Sequence, residues 1–399
     1  MFMKTKFRHK VVFKLLTPIV ALIFRIKYRF YGVKFKSNEV KGPYLIFGNH
    51  TQALDPLFLA TSFNEPIYFV ASDMIFTKPI LSKIMSYLVS PIPKAKYRAD
   101  SDTVKNIIKI AKSGGSIGLF PEGNTTFFGD LMEVPYSTAK LVKHLKLPVL
   151  FYHIEGGYLT KPRWAKEKRK GKMRGMVTKV WQKEEYESLS LDEIYKQLVS
   201  YLRFNDYLSN ETKKQTFKSK NKAHYIETAF FVSPETRAFN TIYSDKNDVF
   251  DRSSDLHLRI DSYGKFHRLG ETVQIEDTIA WHKIQIEEVN KVIESREIKL
   301  IMEEELEMNL LTKKKTTALG KVKLLLYTNR VEIKRESGVE VIDFKDISCH
   351  VQYTNTLIIH SFLTGVTYHF TPTPRFNAYK YVIFSKIYQK KVLNNDNEL

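Results

Sequence analysis

His50 and Asp55 stand five residues apart in Asn49-His50-Thr51-Gln52-Ala53-Leu54-Asp55, directly after the apolar run Tyr44-Leu45-Ile46-Phe47. A neutral imidazole, with an ordinary pKa near ~6.5, accepts an alcohol proton at physiological pH. A carboxylate behind the other ring nitrogen fixes the tautomer and stabilises the imidazolium that forms. On a continuous helix, positions five apart point about 140° away from each other, so these side chains meet only across a bend. Asp55-Pro56 supplies a candidate bend, because Pro suits the first helical position and Asp the cap before it, leading into Leu57 to Ala60. A capped helix beside an incidental histidine would give the same spacing.

A second stretch follows a predicted helix over Asp102 to Lys112, whose Val104, Ile107, Ile108 and Ala111 share the apolar phase. Gly114 and Gly115 end that helix, a short strand comes next, and Phe120-Pro121-Glu122-Gly123 turns at its carboxyl end, where open α/β sheets bind ligands. Glu122, the backbone at Gly123 and the hydroxyls of Thr125 and Thr126 suit a polyol phosphate; an ordinary strand-to-loop turn is the alternative.

In this order the segments resemble the glycerolipid acyltransferase family, which includes the lysophosphatidic acid acyltransferases. Its N-H-x-x-x-x-D block is matched at Asn49, His50 and Asp55. Its F-P-E-G block, followed by Ser or Thr, is matched at Phe120 to Gly123 and Thr126. Its apolar Pro-Val block is matched at Leu147-Pro148-Val149-Leu150. The resemblance covers roughly residues 10 to 205 and departs from the family pattern where many members carry Arg and this chain has Asn124-Thr125. That departure bears on the acyl acceptor rather than on the reaction. The remaining block is loosely matched by Ser90 to Arg98, where Lys94, Lys96 and Arg98 are candidates to hold the acceptor's phosphate. A solvated basic loop is the competing reading of each.

The resemblance implies direct acyl transfer from a thioester, acyl-CoA or acyl-carrier-protein, to the hydroxyl of a lysophosphatidate-type glycerophospholipid. His50 is then general base and Asp55 its orienting partner, with no cofactor and no metal. The sole cysteine, Cys349, lies far downstream in a β-rich region and reads as a buried structural thiol rather than an acyl carrier. Rival readings are the same chemistry on glycerol 3-phosphate, another lysophospholipid or an amino-lipid, and a non-catalytic membrane-binding adaptor.

A formal net charge of +20 calls for an acidic partner. Its distribution favours anionic membrane lipids over nucleic acid. The first 36 residues hold ten Lys or Arg and no acid around the apolar stretch Val11 to Phe24. Fourteen residues with Lys14 and Pro18 among them fall short of the roughly 20 that span a bilayer, so the stretch should lie in the interface. Arg25-Ile26-Lys27-Tyr28-Arg29 stands where a secretory signal would need a small-residue cleavage site. A second basic run, Lys161 to Lys183, carries Trp164, Met173, Met176 and Trp181 and reads as a membrane-facing combination, a docking patch for an acyl carrier protein, or a solvated loop and strand. One cysteine rules out an internal disulfide and fits a reducing compartment. The expected location is peripheral or monotopic at the cytoplasmic face of a membrane.

The 399 residues and 43% hydrophobic content predict several folded domains. Residues 1–36 form the basic interfacial region. Residues 37–210 form an α/β acyltransferase domain, a mixed sheet flanked by helices and closed by a helix over Leu191 to Leu202. Residues 211–300 hold a linker, Asn210 to Lys222, and a hairpin-rich insert with the rhythm of a zinc ribbon that lacks cysteine knuckles, with Ser233/Thr236 and Asp251/Ser254 in their place. Residues 301–399 read as a small β domain with a closing helix over Asn377 to Lys391. This resembles a pleckstrin-homology or GRAM-like module.

Overall fold

Along the strand Leu45–Gly48, Leu45 and Phe47 enter one apolar cluster and Ile46 enters another. That period-two division means that the strand is covered on both faces. The computed structural model describes residues 5–36, 40–72, 87–94, 101–269, 275–312, 316–352 and 355–395. They form two compact units: Met1–Pro162 with Arg169–Phe217, and Arg163–Lys168 with Lys218–Leu399.

The described elements of the first unit are α1 (Phe7–Tyr28), β1 (Phe30–Gly32), β2 (Leu45–Gly48), α2 (Asp55–Ala60), β3 (Ile67–Ser72), β4 (Ile92–Lys94), α3 (Ser101–Lys112), β5 (Ser116–Leu119), α4 (Ser137–Leu145), β6 (Val149–Glu155), α5 (Gly157–Thr160), β7 (Met173–Trp181), α6 (Lys183–Tyr186), α7 (Leu191–Leu202) and α8 (Asp206–Lys213). Seven strands make one sheet in the order β1-β7-β6-β2-β5-β3-β4. Only β6 and β7 run antiparallel; β2 lies parallel to both β5 and β6. The sheet is thus mixed and helix-flanked, as expected. Ile107 and Ile110 of α3, Val142 of α4, and Ile194, Leu198 and Leu202 of α7 cover one face. Phe24 of α1 with Phe58 and Leu59 of α2 covers the other. The Phe58 ring lies 4.5 Å from those of Phe24 and Phe30. Burial of a side chain this size stabilises by about 1.5–3 kcal/mol, which seats α2 firmly at the end of β2.

Helix α1 buries only His9 and Phe24. Phe7, Val11, Leu15, Ile19, Leu22 and Ile26 recur every three or four residues and stay exposed, a stripe that spans the helix length. Among the described residues no helix is long and apolar enough to cross a membrane.

Two expectations are corrected in this region. Trp181 and Met173 are core residues of β7, the indole packing on Phe151, Tyr186 and Tyr201. Trp164, which belongs to the second unit, is buried against Phe230. Neither indole faces outward: Trp181 ends β7 within the core cluster of the sheet, and Trp164 lies in a turn packed on Phe230. The stretch read as a linker begins inside α8 and includes the buried Phe217.

The second unit opens with a four-stranded meander, β8 (Ile242–Asp245), β9 (Asp248–Asp251), β10 (His257–Ile260) and β11 (Phe266–Arg268). The positions read as knuckle replacements do converge. The Asp251 carboxylate accepts from Ser253 Oγ at 2.7 Å and Ser254 Oγ at 3.4 Å, and Thr236 Oγ1 lies 2.7 Å from Ser253 Oγ. Helix α9 (Thr278–Glu294) follows inside the span expected to be insert. Then come β12 (Leu300–Leu311), β13 (Thr316–Tyr327), β14 (Arg330–Arg335), β15 (Gly338–Asp343), β16 (Ile347–Val351), β17 (Leu357–Ser361) and β18 (Thr367–Thr371), an antiparallel sheet in the order β15-β14-β13-β12-β18-β17-β16. Helix α10 (Tyr379–Asn395) packs on β16. Lys380 of that helix is buried and paired with Glu304 at 2.9 Å, and Cys349 of β16 is buried, which pushes its thiol up to about 12.

Candidate active site

The carboxyl ends of β2 and β5 emerge side by side, Phe47 opposite Leu119. The His50 and Glu122 loops therefore start from neighbouring strands. The bend required between His50 and Asp55 lies in Thr51–Leu54, where the Asp55 N–H donates to Gln52 O at 3.1 Å, rather than at Asp55-Pro56. Pro56 instead opens α2.

Asp55 is fully buried, and its Oδ2 accepts from the Thr51 and Gln52 amides at 2.5 and 2.8 Å. The same oxygen lies 2.9 Å from His50 Nδ1. An oxygen that already accepts two amides is an acceptor toward the ring as well, so Nδ1 carries the proton and Nε2 presents a lone pair. The His50 side chain retains 17% exposure. Its ring lies over Phe120, centroids 4.6 Å apart. A Cβ at position 48 would come within 2.6 Å of the Phe120 ring, so Gly48 is what lets that ring in.

Asn49 ties the loop to β6. Its Oδ1 accepts from the Ile154 N–H at 2.8 Å and its Nδ2 donates to Ile154 O at 3.3 Å. Glu122 braces the other side, with Oε1 accepting from the His50 amide and Oε2 from the Met132 amide, both at 2.9 Å. Burial pushes the Glu122 carboxyl up to about 8 even though the Met132 and His50 amides pull it down. The residue as a whole is half-buried, so the shift belongs to the carboxyl end, under the loops, rather than to the stem. Gly123 is exposed at φ +68°, and the buried Thr125 leads to Thr126. Thr126 donates its N–H to His50 O at 2.7 Å and its hydroxyl to Asp130 O at 2.7 Å, and accepts from the Gly129 amide at 3.1 Å. Its hydroxyl thus shapes the loop.

The cleft is lined by His50, Glu122, Thr126, Asp130, Tyr158 and Asp206 among others. Lys94 is not among them; it sits exposed at the end of β4, three strands from β2. Lys96 and Arg98 lie outside the described residues. Asp206 is the residue that sequence reasoning missed. Its carboxylate accepts the amides of Gly156, Tyr158 and Leu159 at 2.6, 2.8 and 3.3 Å, while burial raises it to about 6. Nothing local in Phe204-Asn205-Asp206 signals that role, since its partners lie about fifty positions upstream.

An imidazole that presents a lone pair at the mouth of a cleft, held by a buried carboxylate, can accept a proton from a hydroxyl. Residues 28–152, all within the first unit, match the Acyltransferase family. Within that class, a 1-acyl-sn-glycerol-3-phosphate acyltransferase of Borreliella burgdorferi is 26% identical over 123 residues, covering 30% of this chain and 49% of that protein. The chain thus spans about half the length of the curated relative it matches. The crystal structure of the 1-acyl-sn-glycerophosphate acyltransferase PlsC from Thermotoga maritima is 19% identical, with a TM-score of 0.42 over 53% of this chain and 83% of that one. The inner membrane complex sub-compartment protein 3 of Toxoplasma gondii is 16% identical, with a TM-score of 0.20 over 31% of this chain and 94% of that one.

Proposed function

We propose that the chain is a membrane-surface acyltransferase that moves a fatty acyl group from a thioester to the hydroxyl of a lysophosphatidate-type glycerophospholipid. The observation that carries this reading is the 2.9 Å contact between His50 Nδ1 and the buried Asp55, inside a segment that matches the Acyltransferase family. Nε2 takes the acceptor's hydroxyl proton as its oxygen attacks the thioester carbonyl. The tetrahedral intermediate collapses, the C–S bond breaks, and the imidazolium returns the proton to the departing thiolate. Asp55 holds the ring and offsets its charge. This scheme needs no cofactor and no protein nucleophile, in keeping with a Cys349 whose thiol is buried and held protonated.

Glu122, through the His50 amide, fixes the loop against which the acceptor lies, with Gly123, Thr125 and Thr126 forming that wall. Of the three cations expected to hold the acceptor's phosphate, Lys94 stands away from this cleft, and the role falls to Lys96 and Arg98. The stripe on α1, flanked by Arg8, Lys10, Lys14, Arg25 and Lys27, lays the protein on an anionic bilayer at its cytoplasmic face. The donor is acyl-CoA or acyl carrier protein.

A panel of radiolabelled acyl donors against lysophosphatidate, glycerol 3-phosphate and lysophospholipids, read by lipid chromatography, tests the proposal. Wild type should label phosphatidate, and His50→Ala should lose at least about a hundredfold in rate with its melting temperature unchanged. Comparable turnover by the two proteins would remove His50 from the chemistry. Vesicle binding with no transfer to any acceptor would make the chain an adaptor.

A further inference from the structure

At the far end of α1 the first unit holds a second pocket, with a cavity of about 270 Å³, that the transfer scheme does not use. Arg29, Lys172 and Arg174 line it, and none of the three has an acidic partner among the described residues. A fourth cation in the pocket, Lys213, is held by Glu155 at 2.6 Å. The sheet builds the site. Tyr31 of β1 is paired with Arg174 of β7, which is paired with Glu155 of β6, so the three lie in one row across adjacent strands. Arg29 adopts the left-handed cap conformation that ends α1, and Gln215 Nε2 donates to Lys172 O at 2.7 Å, fixing the backbone beside the lysine.

Three unpaired cations around one cavity form an anion site, and two guanidinium groups favour the oxygens of a phosphate. Asp206 lines both this pocket and the transfer cleft, and its oxygens are turned to three backbone amides. It is a wall between the two sites. The apolar stripe of α1 decides the source of the phosphate: it runs to Ile26, 74% exposed, three residues before Arg29, and the half-exposed aromatic ring of Tyr31 follows. A free phosphate has no use for such a neighbour; a phospholipid has acyl chains to lay along it.

We propose that the pocket between Arg29, Lys172 and Arg174 takes the phosphate of an anionic membrane phospholipid, at a site separate from the transfer cleft, anchoring the protein with its cleft at the bilayer. This rests on the reading of α1 as a bilayer-facing helix.

Co-sedimentation of the full chain with phosphatidylcholine vesicles, with and without one-fifth phosphatidylglycerol, tests it. The Lys172→Ala/Arg174→Ala protein should lose about tenfold in affinity for the anionic vesicles. Lys109→Ala/Lys112→Ala, a charge-matched change on the exposed side of α3, should lose less than about twofold. Short-chain phosphatidylglycerol should compete with the anionic vesicles for wild type, and inorganic phosphate at equal concentration should not. Equal losses in the two double variants would mean diffuse attraction and overturn the proposal, as would equal competition by inorganic phosphate. Failure of wild type to bind any vesicle would sink the reading of α1 and the pocket assignment together; binding that survives in the Lys172→Ala/Arg174→Ala protein sinks the pocket assignment alone.

Discussion

Asp55 reaches His50 across a turn of the chain, and that geometry makes the pair fragile to isosteric change. In Asp55→Asn the side-chain oxygen can take the Oδ2 position and keep the Thr51 and Gln52 amides together with the His50 Nδ1–H, but it carries no negative charge. The ring keeps its orientation, and the imidazolium that forms in the transfer loses the carboxylate that offsets its charge. Turnover should fall by about 10²–10⁴ with little change in KM, measured with saturating donor. Glu122 titrates with the opposite sign from a salt-bridged acid. Its folded pKa, about 8, lies above that of the free side chain, so its contribution to stability is full at low pH and fades as pH rises through 8. The melting temperature of wild type relative to Glu122→Gln should drop between pH 6 and pH 9 in scanning calorimetry; a constant difference would show that the acid is ionised throughout. The pair at 50 and 55 was legible in the sequence because both ends lie on one short loop. Asp206 was not, because its worth depends on amides that only the folded sheet brings near.

At the scale of elements, α1 carries the membrane reading. Leu15 and Ile19 are 65% and 56% exposed, so replacing both with Glu removes apolar contact without disturbing the core. Vesicle partitioning should weaken by at least about tenfold while stability shifts by less than about 0.5 kcal/mol, by sedimentation and by denaturant titration respectively. Unchanged partitioning would place the bilayer elsewhere. Helix α7 was readable to the residue: Ser190 and Glu193 form a capping box, and Ile194, Leu198 and Leu202 repeat at four-residue intervals on the buried side. Strand β12 was not. Its Glu303, Glu304, Glu305 and Glu307 obscure an alternation in which Leu306 and Met308 point inward, and an acidic run of this kind reads as a helix face until its partners β13 and β18 are known. The tryptophans misled for the converse reason: their basic neighbours in the sequence suggested a lipid surface, while both indoles are buried.

At the scale of the whole chain, each unit has its own core, and a probe confined to one unit reports on that unit. Cys349, buried in the second unit, should resist a disulfide-exchange reagent in native buffer and react fully on denaturation. Labelling in native buffer at the rate of a free thiol would mean that this sheet opens readily. The α/β class of the first unit and the β-rich character of the last hundred residues followed from periodicity. Helix α9 was lost within a span read as hairpins. One further feature bears on modularity. Residues Arg163–Lys168 leave the first unit to join the second, where Trp164 packs on Phe230 and Arg163 donates to Val351 O and Gln352 O at 3.0 Å. The chain therefore crosses between the units three times, and a cassette exchange with a single splice near residue 217 would leave six residues of one parent in the other's interior. Any chimera must carry that hexapeptide along with the C-terminal half.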